Sequence, residues 1–279
     1  EYTHAGDDIA EFNEWTRILA ILRLYTVADV KFNSATLESQ GTYPYYDGVG
    51  ETGHFGDDYA IFGGILNSQD GPELSKFWRT IEPHIPNSFK VPESEHDQLT
   101  IAYQRYLEAM NNPGMEEMRI AYGISSLEAL FSVEHTEMNY RLKMRVSRLL
   151  GILGLNPKAV YDAIDWAYDA RSAFDHGDKL SSKKKQKIRQ FYNAKGERIL
   201  TLIILDYVRI CIITALLTNW NKEVIVKLID DSWVSSESLM KLKKILRKPK
   251  ALLRLKSYKP EYSLAPFNDS LCSCIIRET

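Results

Sequence analysis

Apolar residues recur at helical spacing along most of this chain, and the exceptions cluster near its start. Ile9, Phe12, Trp15, Leu19 and Leu22 predict a helix over about residues 8–25. The run from Ala28 to Leu37 instead alternates loosely, as a strand does. A glycine- and aspartate-rich stretch over 41–64 predicts a long loop or irregular hairpin, and Pro83, Pro86 and Pro92 mark a linker over 82–96.

Beyond that linker the pattern turns helical. A helix over about 96–110 closes at Asn111-Asn112-Pro113-Gly114, and another over 116–132 carries Ile120, Ile124, Leu127 and Phe131 on one side. A third, over 137–153, aligns Leu142, Val146, Leu149 and Leu153. Gly154 stops it. Asn156-Pro157 then supplies an N-cap and a proline at the first helical position. The next helix turns Val160, Ile164 and Ala167 inward, and four residues further on that stripe reaches Arg171.

A fifth helix is expected over 184–218, apolar nearly all round from Ile199 and so surrounded by its own bundle and by a dimer partner. From Asn219 onward Lys241, Lys243, Lys244, Arg247, Lys248, Lys250, Arg254 and Lys256 interleave with leucines and predict one or two basic amphipathic helices. The expected architecture is mainly α. A mixed α/β region spans 1–94, a helical bundle 95–220 and a basic helical extension 221–279.

Composition narrows the function classes. The 279 residues are 44% hydrophobic, enough for a substantial core or two modest domains. A formal net charge of −2 confers no global preference for nucleic acid, so any RNA contact must come from a local patch. Three cysteines do not make a disulfide framework: Cys211 sits in an apolar run, and Cys272 and Cys274 form a C-x-C with no second pair for zinc. A reducing cytoplasm is the expected compartment, and no signal peptide is visible. The apolar run 199–217 has the length of a membrane span. Asp206 and Arg209 at its centre would each cost about 2.5–3.5 kcal/mol there. Three residues apart, they can pair on one helix face, and a buried helix of a soluble protein with no membrane partner is expected.

The chemistry concentrates in Tyr168-Asp169-Ala170-Arg171-Ser172-Ala173-Phe174-Asp175-His176-Gly177. An inward-facing arginine is costly unless its charge is paired or binds an anion. Its candidate partners are Glu128, Asp175, a phosphate or a second subunit. His176 stands beyond the helix ladder, immediately before Gly177. An arginine and a histidine brought together where a helix stops can bind a phosphate and move a proton. Lys179, Lys183, Lys184, Lys185, Lys187 and Arg189 supply a local positive field. On spacing alone R-x4-H arises often by chance, and a surface histidine beside a salt-bridged arginine is the plainer alternative. Here the motif, a helix end, the inward stripe and a basic run coincide within about twenty residues.

Together with Ala121-Tyr122-Gly123-Ile124-Ser125-Ser126-Leu127-Glu128-Ala129-Leu130-Phe131 and Arg141-Leu142-Lys143-Met144-Arg145-Val146, this run resembles a HEPN domain of the ApeA-like type over roughly residues 95–220. The resemblance implies a four- or five-helix bundle that dimerises and brings two Arg–His pairs into one cleft. It also implies metal-independent endoribonuclease activity, as in phage defence, toxin–antitoxin pairs and RNA processing, although other members are inactive binding or dimerisation modules. On that resemblance Arg171 would bind the scissile phosphate. His176 would act as general acid or base while the RNA 2′-OH attacks phosphorus, with no metal or other cofactor. Ser172 and Asp175 would orient the pair and Glu128 would hold Arg171.

The residue after the arginine, often Asn, Asp or His in active members, is Ser172. Asp178 replaces the tyrosine of toxins silenced by nucleotidylation. RNA, a second copy of the chain in a homodimer and a regulatory protein are the expected partners. A non-catalytic dimerisation and sensing module is the alternative, and nucleic-acid binding by the basic tail is a third.

Gly48-Val49-Gly50-Glu51-Thr52-Gly53 matches a dinucleotide-binding spacing but lacks a preceding buried strand and a following helix. His54, Asp57 and Asp58 cluster only locally, and His84, His96 and His135 are expected at the surface or as caps without evident partners.

Overall fold

The computed structural model describes residues 17–25, 71–89, 97–111, 116–134, 136–177, 181–191 and 196–255. Among the described residues there are eleven α-helices and no strand. The strand expected over 28–37 lies outside them, as do the glycine-rich stretch and both cysteines of the C-x-C.

Helix α1 spans 17–25 and α2 spans Gly71–Ile81. The central helices are α3 (Gln98–Asn111), α4 (Glu116–Phe131), α5 (Met138–Leu153) and α6 (Pro157–Asp175). They are followed by α7 (Ser182–Phe191), α8 (Gly196–Thr218), α9 (Lys222–Asp231), α10 (Ser236–Ile245) and α11 (Arg247–Leu255). Helix α4 packs against α3, α5, α6 and α8, and α8 also touches α2, α3, α6, α7 and α11. One contiguous apolar core runs from Ile21 through Phe77, Leu127 and Ile204 to Leu253.

Local signals account for the middle of the bundle. At the end of α5, Gly154 takes φ 122°, a backbone conformation open to glycine, and its N–H returns to Leu150 O at 3.0 Å. Two residues later the Asn156 side chain accepts from Ala159 N at 3.0 Å, capping α6 behind Pro157. Between α4 and α8 the approach is closer than a methyl group permits. A Cβ on Gly123 would meet Ile204 Cγ2 at 2.8 Å.

Two expectations change. The linker over 82–96 is folded in its described part. Two short 3-10 turns, Glu82–His84 and Asn87–Phe89, follow α2, and buried Phe89 stacks on Tyr103 with centroids 3.9 Å apart. The prolines break α-helix without freeing the chain from the core. The single helix expected over 184–218 is two helices, because α7 packs against α8, a contact one straight helix cannot make with itself. The basic residues from Lys241 to Arg254 fall on two short helices, α10 and α11, within the expected one or two; α9, which precedes them, is not basic, and the Asn221 and Ser235 side chains cap α9 and α10.

The apolar α8 is covered by protein over most of the stretch Leu200–Thr218 that is long enough to cross a membrane. Its charges have an internal use. Arg209 pairs with Asp206 at 2.6 Å, and its Nη1 donates to Leu24 O at 2.9 Å and Tyr25 O at 3.3 Å. Those carbonyls end α1, where a helix leaves its last acceptors without intrahelical donors.

Arg145 on α5 is buried. It donates to Phe131 O at 2.8 Å, to Glu134 at 3.1 Å and to Asp230 of α9 at 2.7 Å, fastening the C-terminal helices to the bundle. Arg148 adds hydrogen bonds to the Ser232 hydroxyl (2.9 Å) and carbonyl.

Candidate functional site

Val160, Ile164 and Ala167 are fully buried on α6, and the next position on that stripe lifts toward the surface. The Arg171 side chain is 23% exposed, and Glu128, reaching it from α4, is 12% exposed. Arg171 Nη1 pairs with Glu128 Oε1, while its Nε donates to Asp175 Oδ2 at 3.3 Å. The Tyr168 hydroxyl donates to the same Glu128 oxygen at 3.3 Å, and the guanidinium carbon lies 5.6 Å from the Tyr168 ring centroid.

The electrostatics follow from this box. Burial disfavours the Arg171 cation, but Glu128, with Tyr168 and Asp175, outweighs it and holds the guanidinium above its ordinary pKa. Burial and the adjacent Glu128 carboxylate push the Tyr168 phenol upward. Arg171 is therefore a fixed cation held in place by two carboxylates, with part of its five-donor fork still facing solvent. An anion arriving there meets a guanidinium that is already oriented and partly neutralised.

His176 follows as the C-cap of α6 at φ −91° and ψ 2°, its N–H donating to Ser172 O at 3.2 Å. Gly177 takes φ 69° and its N–H donates to Phe174 O at 3.0 Å, turning the chain away from the helix end. The His176 side chain is exposed and makes no hydrogen bond or ion pair with the described residues, so its ring nitrogens face solvent. Ser172 is exposed as well. Four residues lie between Arg171 and His176, so the two leave α6 about 7.5 Å apart along its axis and about 140° apart around it.

Of the lysines expected to supply the field, Lys179 lies outside the described residues. Lys184 pairs with Asp169 at 2.8 Å and Lys185 with Glu117 at 3.7 Å, so these two fasten α7 to α6 and α4. Lys183 and Lys187 are exposed without a carboxylate partner among the described residues.

Sequence reasoning missed Tyr168 and Asp169, although Tyr168 stands three residues before Arg171, where helix neighbours meet. It also left His84 without a partner. The structure places Lys248 Nζ 3.0 Å from His84 Nε2, and burial together with that cation lowers the His84 pKa. His54, Asp57, Asp58, His96 and His135 lie outside the described residues. Among the described residues no three His, Cys, Asp or Glu side chains gather as metal ligands.

No family model, curated protein or solved structure matches this chain.

Proposed function

We propose that this chain is a HEPN-type endoribonuclease that cuts RNA by 2′-OH attack without a metal, using Arg171 and His176 at a site completed by a second copy of the chain. One observation carries the reading: a half-buried arginine, pre-oriented by Glu128, stands five residues before an exposed histidine that ends the same helix.

The chemistry assigns each group a task. The 2′-oxygen attacks the adjacent phosphorus, the P–O5′ bond breaks, and a 2′,3′-cyclic phosphate and a 5′-OH result. Negative charge grows on the non-bridging oxygens, where the guanidinium stabilises it. A proton leaves the 2′-OH and another reaches O5′, which needs both a base and an acid. One protomer offers a single histidine of this kind, so a dimer supplies two and divides the roles. Glu128 and Asp175 keep the guanidinium in one orientation before RNA arrives, which reduces the ordering cost of binding. Exposed Ser172, Lys183 and Lys187 are the groups this reading offers to the RNA backbone. A role in prokaryotic defence or stress, in the cytoplasm and under control of a regulatory protein, follows from the same reading.

The test is incubation of purified protein with a mixed RNA pool in EDTA beside His176→Ala. Cleavage by wild type alone, leaving 2′,3′-cyclic phosphate ends, supports the proposal. Cleavage of equal extent by the variant removes His176 from it.

A second reading has its own observation. Two carboxylates already meet Arg171, as in a structural ion pair, and a bundle held in that way serves as a non-catalytic module that dimerises and binds a regulatory partner. Under this reading intact RNA accompanies an Arg171→Ala variant that is destabilised and otherwise unchanged.

A further inference from the structure

Residues 238–255 contain seven lysines and arginines and no acid, in a chain whose formal net charge is −2. Helices α10 and α11 set one side of this stretch against the bundle. Leu242, Leu246, Leu252 and Leu253 are buried there, and Lys250 Nζ donates to Ile152 O at 2.7 Å. Met240, Lys243 and Lys244 lie at spacings of three and four on one face of α10, and Arg247 opens α11 just beyond it. All four are exposed, Met240 by 70%. Exposed Lys248 extends the charge to His84, the group it meets at 3.0 Å.

The acid nearest in sequence, Glu237, is engaged with Lys241 at 2.6 Å. Lys243, Lys244 and Arg247 have no ion-pair partner among the described residues. By contrast, Lys143, Lys158, Lys184 and Lys185 each meet a carboxylate. This face is thus a concentration of uncompensated cations on a rigid support.

A membrane-surface helix must lend a continuous apolar side to lipid, but here Leu242, Leu246, Leu252 and Leu253 are buried in the protein, while Met240 and Ile245 stand exposed singly among the cations. A polyanion needs only the charged side. Taking the polyanion from the RNA-cutting reading above, we infer that the outer face of α10 and α11, centred on Lys243, Lys244 and Arg247, is a sequence-independent binding surface for the phosphate backbone of single-stranded RNA. It is carried by different helices from Arg171 and His176 and does not depend on cleavage there.

The probe is a fluorescein-labelled 2′-O-methyl RNA of about 30 nucleotides, long enough for several cationic contacts and unable to undergo 2′-OH attack. Anisotropy with the full chain is followed in EDTA from about 0.05 to 0.3 M KCl. Wild type is expected to bind with steep salt dependence. The triple variant Lys243→Gln, Lys244→Gln, Arg247→Gln should bind on the order of a hundredfold more weakly at about 0.1 M salt. The slope of log K against log salt should fall by about 2, at about 0.7 per lost contact. Its thermal unfolding should match wild type, because all three side chains are exposed, and Arg247→Gln alone should show about a third of the slope change. Because the 2′-O-methyl probe cannot be cut, the salt dependence and its loss in the triple variant are read whether or not Arg171 and His176 cleave RNA, which separates this inference from the catalytic one. Absence of RNA binding by wild type, equal binding by the triple variant, or capture by phosphatidylglycerol vesicles in preference to RNA would each overturn it.

Discussion

Replacing Glu128 with glutamine tests whether Arg171 is held as the geometry indicates. The substitution keeps the side chain's size and an oxygen to accept from the Tyr168 hydroxyl, and removes only the charge. Arg171 then retains Asp175 at 3.3 Å and the Tyr168 ring. Removing one partner of a fully buried pair costs about 3–5 kcal/mol, whereas an exposed pair is worth about 0–1 kcal/mol. With side chains 23% and 12% exposed, this pair lies between those limits. We expect a loss of about 2 kcal/mol, or about 5 °C in Tm for a chain of this size.

Arg171→Met should cost a similar amount, since it leaves Glu128 largely covered with the tyrosine as its remaining donor. Urea unfolding of wild type, both single variants and the double variant then yields a coupling energy of about 1–2 kcal/mol. A coupling below about 0.5 kcal/mol would refute the pairing as an energetic unit. The same proteins divide the functional readings. Glu128→Gln keeps the guanidinium and should retain most cleavage, while Arg171→Met should lose about a hundredfold or more in kcat, the scale of removing one donor to a transition-state oxyanion. An Arg171→Met protein that is destabilised yet cuts RNA normally would sink the catalytic assignment.

Further outcomes concern the scaffold. Asp230→Ala should cost about 3 kcal/mol in urea unfolding, because it strips the buried Arg145 of its bidentate partner and loosens α9; a change under about 1 kcal/mol would show that Glu134 and Phe131 O suffice. Gly123→Ala should destabilise by about 1 kcal/mol net, the 2.8 Å approach to stiff Ile204 outweighing the gain in helix propensity, and a rise in Tm would refute that close contact. The hydrogen bond from Arg145 holds the Glu134 carboxyl below its usual range against opposing desolvation. Its stabilisation is therefore complete above the unfolded carboxyl pKa and is lost as pH falls through the lower folded value. Glu134→Gln should flatten the acid limb of stability measured from about pH 6 to pH 3, and an unchanged limb would remove Glu134 from it.

Much of the bundle was legible because its determinants are local. The stripe Ile120, Ile124, Leu127, Phe131 defines the buried side of α4, and Gly154 with Asn156-Pro157 sets the turn from α5 to α6 through backbone conformation and capping. Such signals act within a few residues and can be read one segment at a time. Helix α2 escaped notice because its eleven residues expose most of one side, and only packing of Phe77 and Ile81 makes it pay. The split between α7 and α8 was hidden by a charge-rich segment whose helical propensity continues smoothly into the apolar one.

The sequence by itself determined that Arg171 continues an inward stripe, that His176 ends its helix, and that the last third of the chain is basic. The sequence offered Glu128 and Asp175 among the candidate partners of Arg171, and the tertiary structure decided which charges meet. Glu128 reaches Arg171 from forty-three residues away in sequence, Asp230 reaches Arg145 across eighty-five, and Arg209 closes the end of α1 from the opposite part of the chain. Helical periodicity specifies which side of a segment faces inward, but not which segment faces it. A buried charge announces that a partner must exist, because desolvation is otherwise too costly. Which partner it takes depends on how the helices pack, and that is settled by the whole core at once.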